Sequence, residues 1–231
     1  MTPILKIRTF CNDQYVLDKI FYTNFYRIRG FKDTERKPIV VDLGAHCGFF
    51  TFTALSLGAK KVYAFEPFTP NYKMLLANVG DNPIGTVIPY QLGVYVAPIC
   101  LTLNYPQLIK NSYFDFANIG LDTNVGASEV CHCCVLPLDD ILKYYVDEPI
   151  DLVKISIGYS EMATLEASSL ITTNVSHICG EIALNEDGIN KLKILLANKG
   201  FVKTNVYPVE GEEHKWLFHS SRSGTDPMFN D

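Results

Sequence analysis

Residues 39–67, IVVDLGAHCGFFTFTALSLGAKKVYAFEP, set the reading of the whole chain. An apolar run, Ile39-Val40-Val41, leads into Asp42 and then two glycines, Gly44 and Gly48. A helix-length segment, Phe49 to Leu57, follows, and a second buried-strand pattern from Val62 to Phe65 ends in Glu66-Pro67. Glycines where a strand becomes a helix let backbone N–H groups and the helix N-terminus approach a ligand. A carboxylate at the next strand tip, about 20 residues on, is placed to accept hydrogen bonds from a ribose diol. The pattern is that of a nucleoside-cofactor pocket. An ordinary strand–helix–strand unit whose glycines serve only packing is the alternative.

The dinucleotide fingerprint G-x-G-x-x-G crowds three glycines around a pyrophosphate. Here the spacing is D-x-G-x-x-x-G, with Asp42 ahead of the first glycine. A carboxylate there repels pyrophosphate but suits an ammonium group, such as the amino-acid end of S-adenosyl-L-methionine. Glu66 then takes the ribose. The same spacing argues against a nicotinamide oxidoreductase.

Outward from this stretch, the 231 residues fit one α/β domain with a sizeable core. Hydrophobic residues make up 48% and charged residues 19%, a globular composition. A net charge of −5 argues against a broad non-specific nucleic-acid footprint, so no nucleic-acid partner is expected. The basic stretch Arg27 to Lys37, diluted by Asp33 and Glu35, reads as a solvated loop. Seven cysteines do not complete a disulfide framework, and no secretory signal or membrane-length apolar run is visible. A cytoplasmic setting is the simplest expectation.

Apolar positions from Val16 to Ile28 predict a helix over 14–28, within an N-terminal helical extension, 1–37. The main domain is expected over 38–220, with a loop insertion at about 104–128 as a candidate substrate lid and a flexible tail, 221–231. Strands are expected at 86–90, 99–103, 130–136, 151–157 and 175–184, and helices at 138–145, 161–171 and 188–198. A hairpin of 201–207 and 215–220 closes the chain. The alternation predicts a mainly parallel sheet covered by helices on both faces.

Three blocks, VVDLGAHCGFFTFTAL, VYAFEPFTPNYKMLLANV and VLPLDDIL followed by IDLVKI, resemble the FkbM-type family of class I S-adenosylmethionine-dependent methyltransferases. ICGEI and GFVKTNVY fit the same pattern, so the resemblance covers most of residues 14–220. It implies a seven-stranded Rossmann-like sandwich, S-adenosyl-L-methionine as cofactor, and O-methylation of a hydroxyl on a saccharide or small metabolite. By position, Asp42, Gly44, Ala45 and Gly48 would line the methionine end of the cofactor. Glu66 would hold the ribose, Pro67, Phe68 and Asn71 would lie by the adenosine, and Leu92 and Gly93 would border the adenine. The family's K-I-D-x-E-G after the fourth strand is here Lys154-Ile155-Ser156-Ile157-Gly158, with serine for the aspartate and no glutamate before the glycine. Serine is no general base near neutrality without a partner that takes its proton. A catalytically reduced module that binds cofactor or a partner is therefore the alternative.

Candidate replacement bases are Glu181 at a strand end, Glu161 and the imidazole of His46. Glu161 reads equally well as a charge favoured at a helix N-terminus. Lys154, in an otherwise apolar strand, is expected to run its stem to the surface. Cys131-His132-Cys133-Cys134 lacks zinc-like spacing, and strand alternation puts Cys131 and Cys133 on one face and His132 and Cys134 on the other, so no metal is expected. No N-P-P-Y type segment, as in base-methylating enzymes, is found: Asn104-Tyr105-Pro106-Gln107 comes too early.

Overall fold

The computed structural model describes residues 3–9, 11–82, 84–106, 128–224 and 229. Its centre is β1 (Ile39–Leu43), buried at all five positions, as expected of a strand covered on both faces. β1 pairs in parallel with β2 (Lys61–Phe65), which pairs with β3 (Thr86–Tyr90). On its other side β1 pairs in parallel with β7 (Ile150–Ile155), and β7 with β8 (Val175–Ala183). The C-terminal hairpin, β9 (Lys203–Pro208) and β10 (Lys215–Ser221), completes the sheet, with β10 antiparallel to β8 and β9. The strand order is β3-β2-β1-β7-β8-β10-β9. This is the mainly parallel, seven-stranded α/β architecture of class I methyltransferases, as expected. A smaller sheet, β4-β6-β5, is built from β4 (Gly93–Val94), β5 (Ile99–Pro106) and β6 (Ser128–Leu136).

The chain order reverses between β1 and β7, so the ligand crevice of this fold opens at their C-terminal ends. There the backbones crowd: a Cβ on Gly44, at φ +77°, would lie 2.0 Å from the Ser156 carbonyl oxygen. Gly180 is constrained in the same way inside β8, where a Cβ would lie 2.3 Å from the Ile155 carbonyl oxygen and 2.7 Å from the Phe218 ring.

α2 (Phe49–Ser56) is buried from Phe49 to Leu55, because the N-terminal segment covers the face turned away from the sheet. Val16 and Leu17 pack with Cys47 and Phe49, and Tyr26 sets its ring edge-on to Phe50. The expected helix over 14–28 is not continuous. α1 (Asp13–Leu17) passes into a π-helical turn, Asp18–Tyr22, and a 3₁₀ turn follows at Arg29–Asp33. Ile20-Phe21-Tyr22-Thr23 is a run of weak helix formers, and leaving the helix brings Tyr26, Ile28 and Phe31 into the core beneath α2.

The helix expected at 161–171 is also divided, into α5 (Glu161–Ala167) and α6 (Ile171–Asn174). Between them Ser168, Ser169 and Leu170 donate to the carboxylate of Asp139 in α4 (Leu138–Tyr144). The expected lid, 104–128, begins and ends in β5 and β6, and 107–127 lie outside the described residues. Beyond β10, Arg222 donates to the carbonyls of Val175, Lys199 and Ile171, and Phe229 stacks on His219 with ring centres 4.2 Å apart.

Replacing Gly180 by alanine is expected to cost about 3 kcal/mol, the upper end of overpacking penalties, because the clash is with backbone. The check is a lower urea midpoint at unchanged m-value. A midpoint equal to wild type would mean β8 can slide away from β7.

Candidate functional site

Asp42, in β1, is fully buried. One carboxylate oxygen lies 3.1 Å from Lys154 Nζ, and the other accepts from Thr51 Oγ1 at 2.7 Å. Lys154 also donates to the carbonyl of Gly44 at 2.8 Å. The lysine does not run to the surface. The residue is 3% exposed, and its ammonium ends inside the sheet because Asp42 lies opposite it in the β1–β7 register. Lys154 therefore already supplies the ammonium that a cofactor was expected to bring to Asp42.

The glycine loop then folds onto the tip of β2. The amides of Gly44 and Ala45 both donate to the Phe65 carbonyl at 2.9 Å. His46 has a left-handed backbone, φ 54°, and its amide donates to Glu66 Oε2 at 2.7 Å. Gly48, also left-handed, is the N-cap of α2. Strained backbone of this kind is held where surrounding contacts fix it, often beside a ligand.

Glu66 is 5% exposed, and burial pushes its pKa up to about 6 against the opposing pull of its donors. Oε1 accepts from the Phe68 amide at 3.0 Å and from Asn71 Nδ2 at 3.4 Å. Oε2 accepts from the His46 amide, and a carboxylate oxygen has a second acceptor position suited to a diol. Asn71 is itself buried in α3 (Thr69–Asp81), and its Oδ1 has no hydrogen-bond partner among the described residues. An acceptor atom left in this state beside Glu66 suits a polar ligand edge. Pro67 packs against Gly93, where a Cβ would meet Val135 of β6 at 2.7 Å and Pro67 at 3.1 Å. Leu92 belongs to the main core with Val94 and Leu138. β6 thus walls the side on which adenine was expected, with Cys131 Sγ 3.0 Å from Thr69 Oγ1.

The outer wall of the loop comes from the N-terminus, which the sequence reading did not place there. Arg8 makes a two-pronged pair with Asp13, at 2.9 and 2.8 Å, and its Nη2 also lies 3.3 Å from Cys47 Sγ. Asp13, His46 and Cys47 offer ligand atoms within 4.8 Å of one another, but Arg8 already neutralises this cluster and burial pushes the Cys47 thiol up. The set is a clamp closed by an arginine. Asn78 of α3 and Asn82, its C-cap, hold the strap by paired hydrogen bonds to the backbone of Lys6 and Ile4. The sequence signal for this was two asparagines four residues apart at the end of a helix.

The three candidate bases sit as follows. Glu181 is 6% exposed, with Lys19 at 3.1 Å on one oxygen and Lys215 at 2.7 Å on the other. Glu161, the first residue of α5, is buried, which raises its pKa, and accepts from the Ile157 amide at 2.7 Å. The His46 ring packs against Phe49, with Nε2 3.8 Å from Asp13. The loop that Glu161 braces holds Gly158 and Tyr159 at φ +69° and +66° and presents Tyr159 60% exposed just past Ser156. On β6, Cys131 and Cys133 are buried and His132 and Cys134 exposed, as alternation required.

No family model matches the sequence, and no curated relative matches it. Solved structures do match the fold. Human methyltransferase 10 domain containing protein aligns with TM-score 0.55 at 14% identity over 95% of this chain and 88% of its own. M. capricolum TrmK, solved with S-adenosyl-homocysteine, aligns with TM-score 0.53 at 12% identity over 87% of this chain and 68% of its own. An rRNA methylase from Streptococcus thermophilus aligns with TM-score 0.52 at 15% identity over 87% and 95%. The chain thus has the class I methyltransferase fold. The expectation of no nucleic-acid partner is overturned, since an rRNA methylase has this architecture. That expectation averaged charge over the whole surface, whereas phosphate contact depends on local patches. Arg29 and Lys32 do line an open pocket of about 320 Å³ with Phe21, Asn24, Thr53, Ser56 and Leu57. No helix among the described residues is long and apolar enough to cross a membrane.

Binding of S-adenosyl-homocysteine is expected to be level above about pH 7 and to weaken below about pH 6, by up to tenfold per pH unit. A ribose diol held by Glu66 would favour its ionised form, and the raised pKa of this carboxyl places its protonation in that range. Calorimetric titration of Glu66→Gln should show weaker binding with the slope removed. An unchanged slope in that variant would assign the titration to another group.

Proposed function

We propose that this chain is an S-adenosyl-L-methionine-dependent methyltransferase whose acceptor is a nitrogen on a planar base, with RNA as the substrate class. The observation that carries the cofactor half is Glu66, a buried carboxylate at the β2 tip hydrogen-bonded to the glycine loop and beside the unpartnered Asn71 Oδ1. The likeness to M. capricolum TrmK, solved with S-adenosyl-homocysteine, supports the same cofactor. When bound, the cofactor supplies a methyl group on a sulfonium, an electrophile that needs only a positioned nucleophile. Glu66 and Asn71 would hold the ribose side, and Gly44, Ala45 and Gly48 give the chain its close approach at the other end.

The acceptor half rests on what the carboxylates at the crevice are already doing. Glu181 is neutralised by two lysines, Glu161 holds backbone amides, and Asp42 is paired to Lys154. An alcohol needs a base to take its proton, whereas a neutral pyridine-type ring nitrogen brings an in-plane lone pair and carries the positive charge after transfer. Ser156 and the carbonyls of its loop are suited to accepting hydrogen bonds from an amino group. Tyr159 stands exposed beside them as a face on which a base can stack, a contact worth about 1–3 kcal/mol. The rRNA methylase likeness supports RNA as the substrate class.

O-methylation of a saccharide or small-metabolite hydroxyl is the second reading, favoured by the family resemblance of the fourth-strand and LDDIL segments. Transfer of labelled methyl to total RNA, and separately to a pool of glycans and hydroxylated metabolites, tells the two apart. Label on RNA nitrogens is the expected result, and it should survive chelation, because a serine hydroxyl is a poor ligand for hard divalent ions. Tyr159→Ala should reduce that transfer about 10- to 100-fold with S-adenosyl-homocysteine affinity unchanged. Label only on hydroxyl acceptors, increased by Ser156→Asp, would favour the second reading. Absence of S-adenosyl-homocysteine binding by the wild-type chain would remove both.

A further inference from the structure

Cys100 and Cys134 lie directly opposite each other in the antiparallel register of β5 and β6, with Sγ atoms 3.2 Å apart. Both are exposed. Opposed residues in such a pair have Cα atoms about 4.5–5.5 Å apart, inside the range a disulfide spans. The other thiols are placed differently. Cys47, Cys131, Cys133 and Cys179 are buried, and Cys11 is half-buried with its thiol on the Arg8 carbonyl. Burial also pushes the Cys47 thiol well above, and the Cys133 thiol up to about 12, which keeps both from the thiolate form that reacts.

The opposite face of β6 is the wall already described, where Cys131 touches Thr69 and Cys133 feels the charge of Glu66. A short stretch of strand therefore carries a solvent-facing dithiol on one side and the Glu66 side of the crevice on the other. We propose that Cys100 and Cys134 are a redox modification site that closes reversibly to a cross-strand disulfide. The inference stands on the hairpin geometry and does not depend on the methyl-transfer reading.

The oxidant is a low-molecular-weight disulfide. One thiolate of the pair attacks it, forming a mixed disulfide and releasing one small thiol. The second protein thiolate then attacks the protein-side sulfur, forming the Cys100–Cys134 bond and releasing the other small thiol. Two protein thiols are oxidised, one small disulfide is reduced to two thiols, and the protons of the protein thiols end on those products. An exposed disulfide of this kind belongs to the labile class and not to the structural one. The hydrogen bond and charge of Cys100 hold the Cys134 thiol above its ordinary pKa, so exchange should quicken from pH 7 to 9.

The test incubates the folded full chain with oxidised and reduced glutathione at graded ratios, then traps free thiols with N-ethylmaleimide. The expected result is a loss of about 2 Da before trapping, two fewer maleimide adducts, and a linked Cys100–Cys134 peptide that dithiothreitol reverses. Cys100→Ser and Cys134→Ser should each leave a stable single glutathione adduct on the remaining cysteine. The proposal is overturned if wild-type protein keeps both thiols open to maleimide at high oxidised glutathione, or carries glutathione on each independently. It is also overturned if zinc ion added alone protects both thiols in the reduced protein at stoichiometric concentration, which would make the pair, with His132 on the same face, a metal site.

Discussion

The ion pair between Lys154 and Asp42 is the constraint on which the rest of the site depends. Two charges in the centre of a sheet covered on both faces are tolerable only when paired and hydrogen-bonded. Here Thr51 and the Gly44 carbonyl complete the set. The pair ties β7 to β1 at the point where the chain order reverses, and it holds the glycine loop by its first carbonyl. It also fixes the division of labour between the two carboxylates of the opening sequence. Asp42 is paired with a lysine within the protein, and Glu66 is held by the His46 and Phe68 amides and by Asn71.

Around that pair the loop is held from both sides. Inside, the amides of Gly44 and Ala45 meet the end of β2, and the His46 amide meets Glu66. Outside, the N-terminal strap brings Arg8 and Asp13 against Cys47, with asparagine side chains at the end of α3 holding its backbone. The left-handed conformation of His46 persists because these contacts over-determine it. The strap is thereby part of the site and not an appendage to the domain.

The same bookkeeping of partners shapes the chemistry. A carboxylate between two lysine ammonium groups has both oxygens engaged, and one that accepts backbone amides is occupied in bracing a loop. Glu181 and Glu161 are of these two kinds. What the crevice offers instead is close backbone, a serine and an exposed tyrosine at the end of the fourth parallel strand. Those features position a nucleophile and do not create one.

Residues 39–67 determined the fold, because a buried run, a glycine turn and a strand-end carboxylate at that spacing suit one kind of strand–helix–strand unit. Alternation and turn residues also determined β6 and the C-terminal hairpin, including which cysteines of the Cys131–Cys134 run face inward. These are local periodicities, and a sequence displays them directly. Which charges meet is a matter of tertiary structure. Lys154 and Asp42 are more than 100 residues apart, as are Lys19 and Glu181, and Cys100 and Cys134 are brought together by strand register across a long connection. The helix expected at 14–28 gave way for the same reason, since burying Tyr26 and Ile28 beneath α2 outweighed a weak local propensity. Side-chain roles in this protein follow from partners, and partners were chosen by packing and not by spacing along the chain.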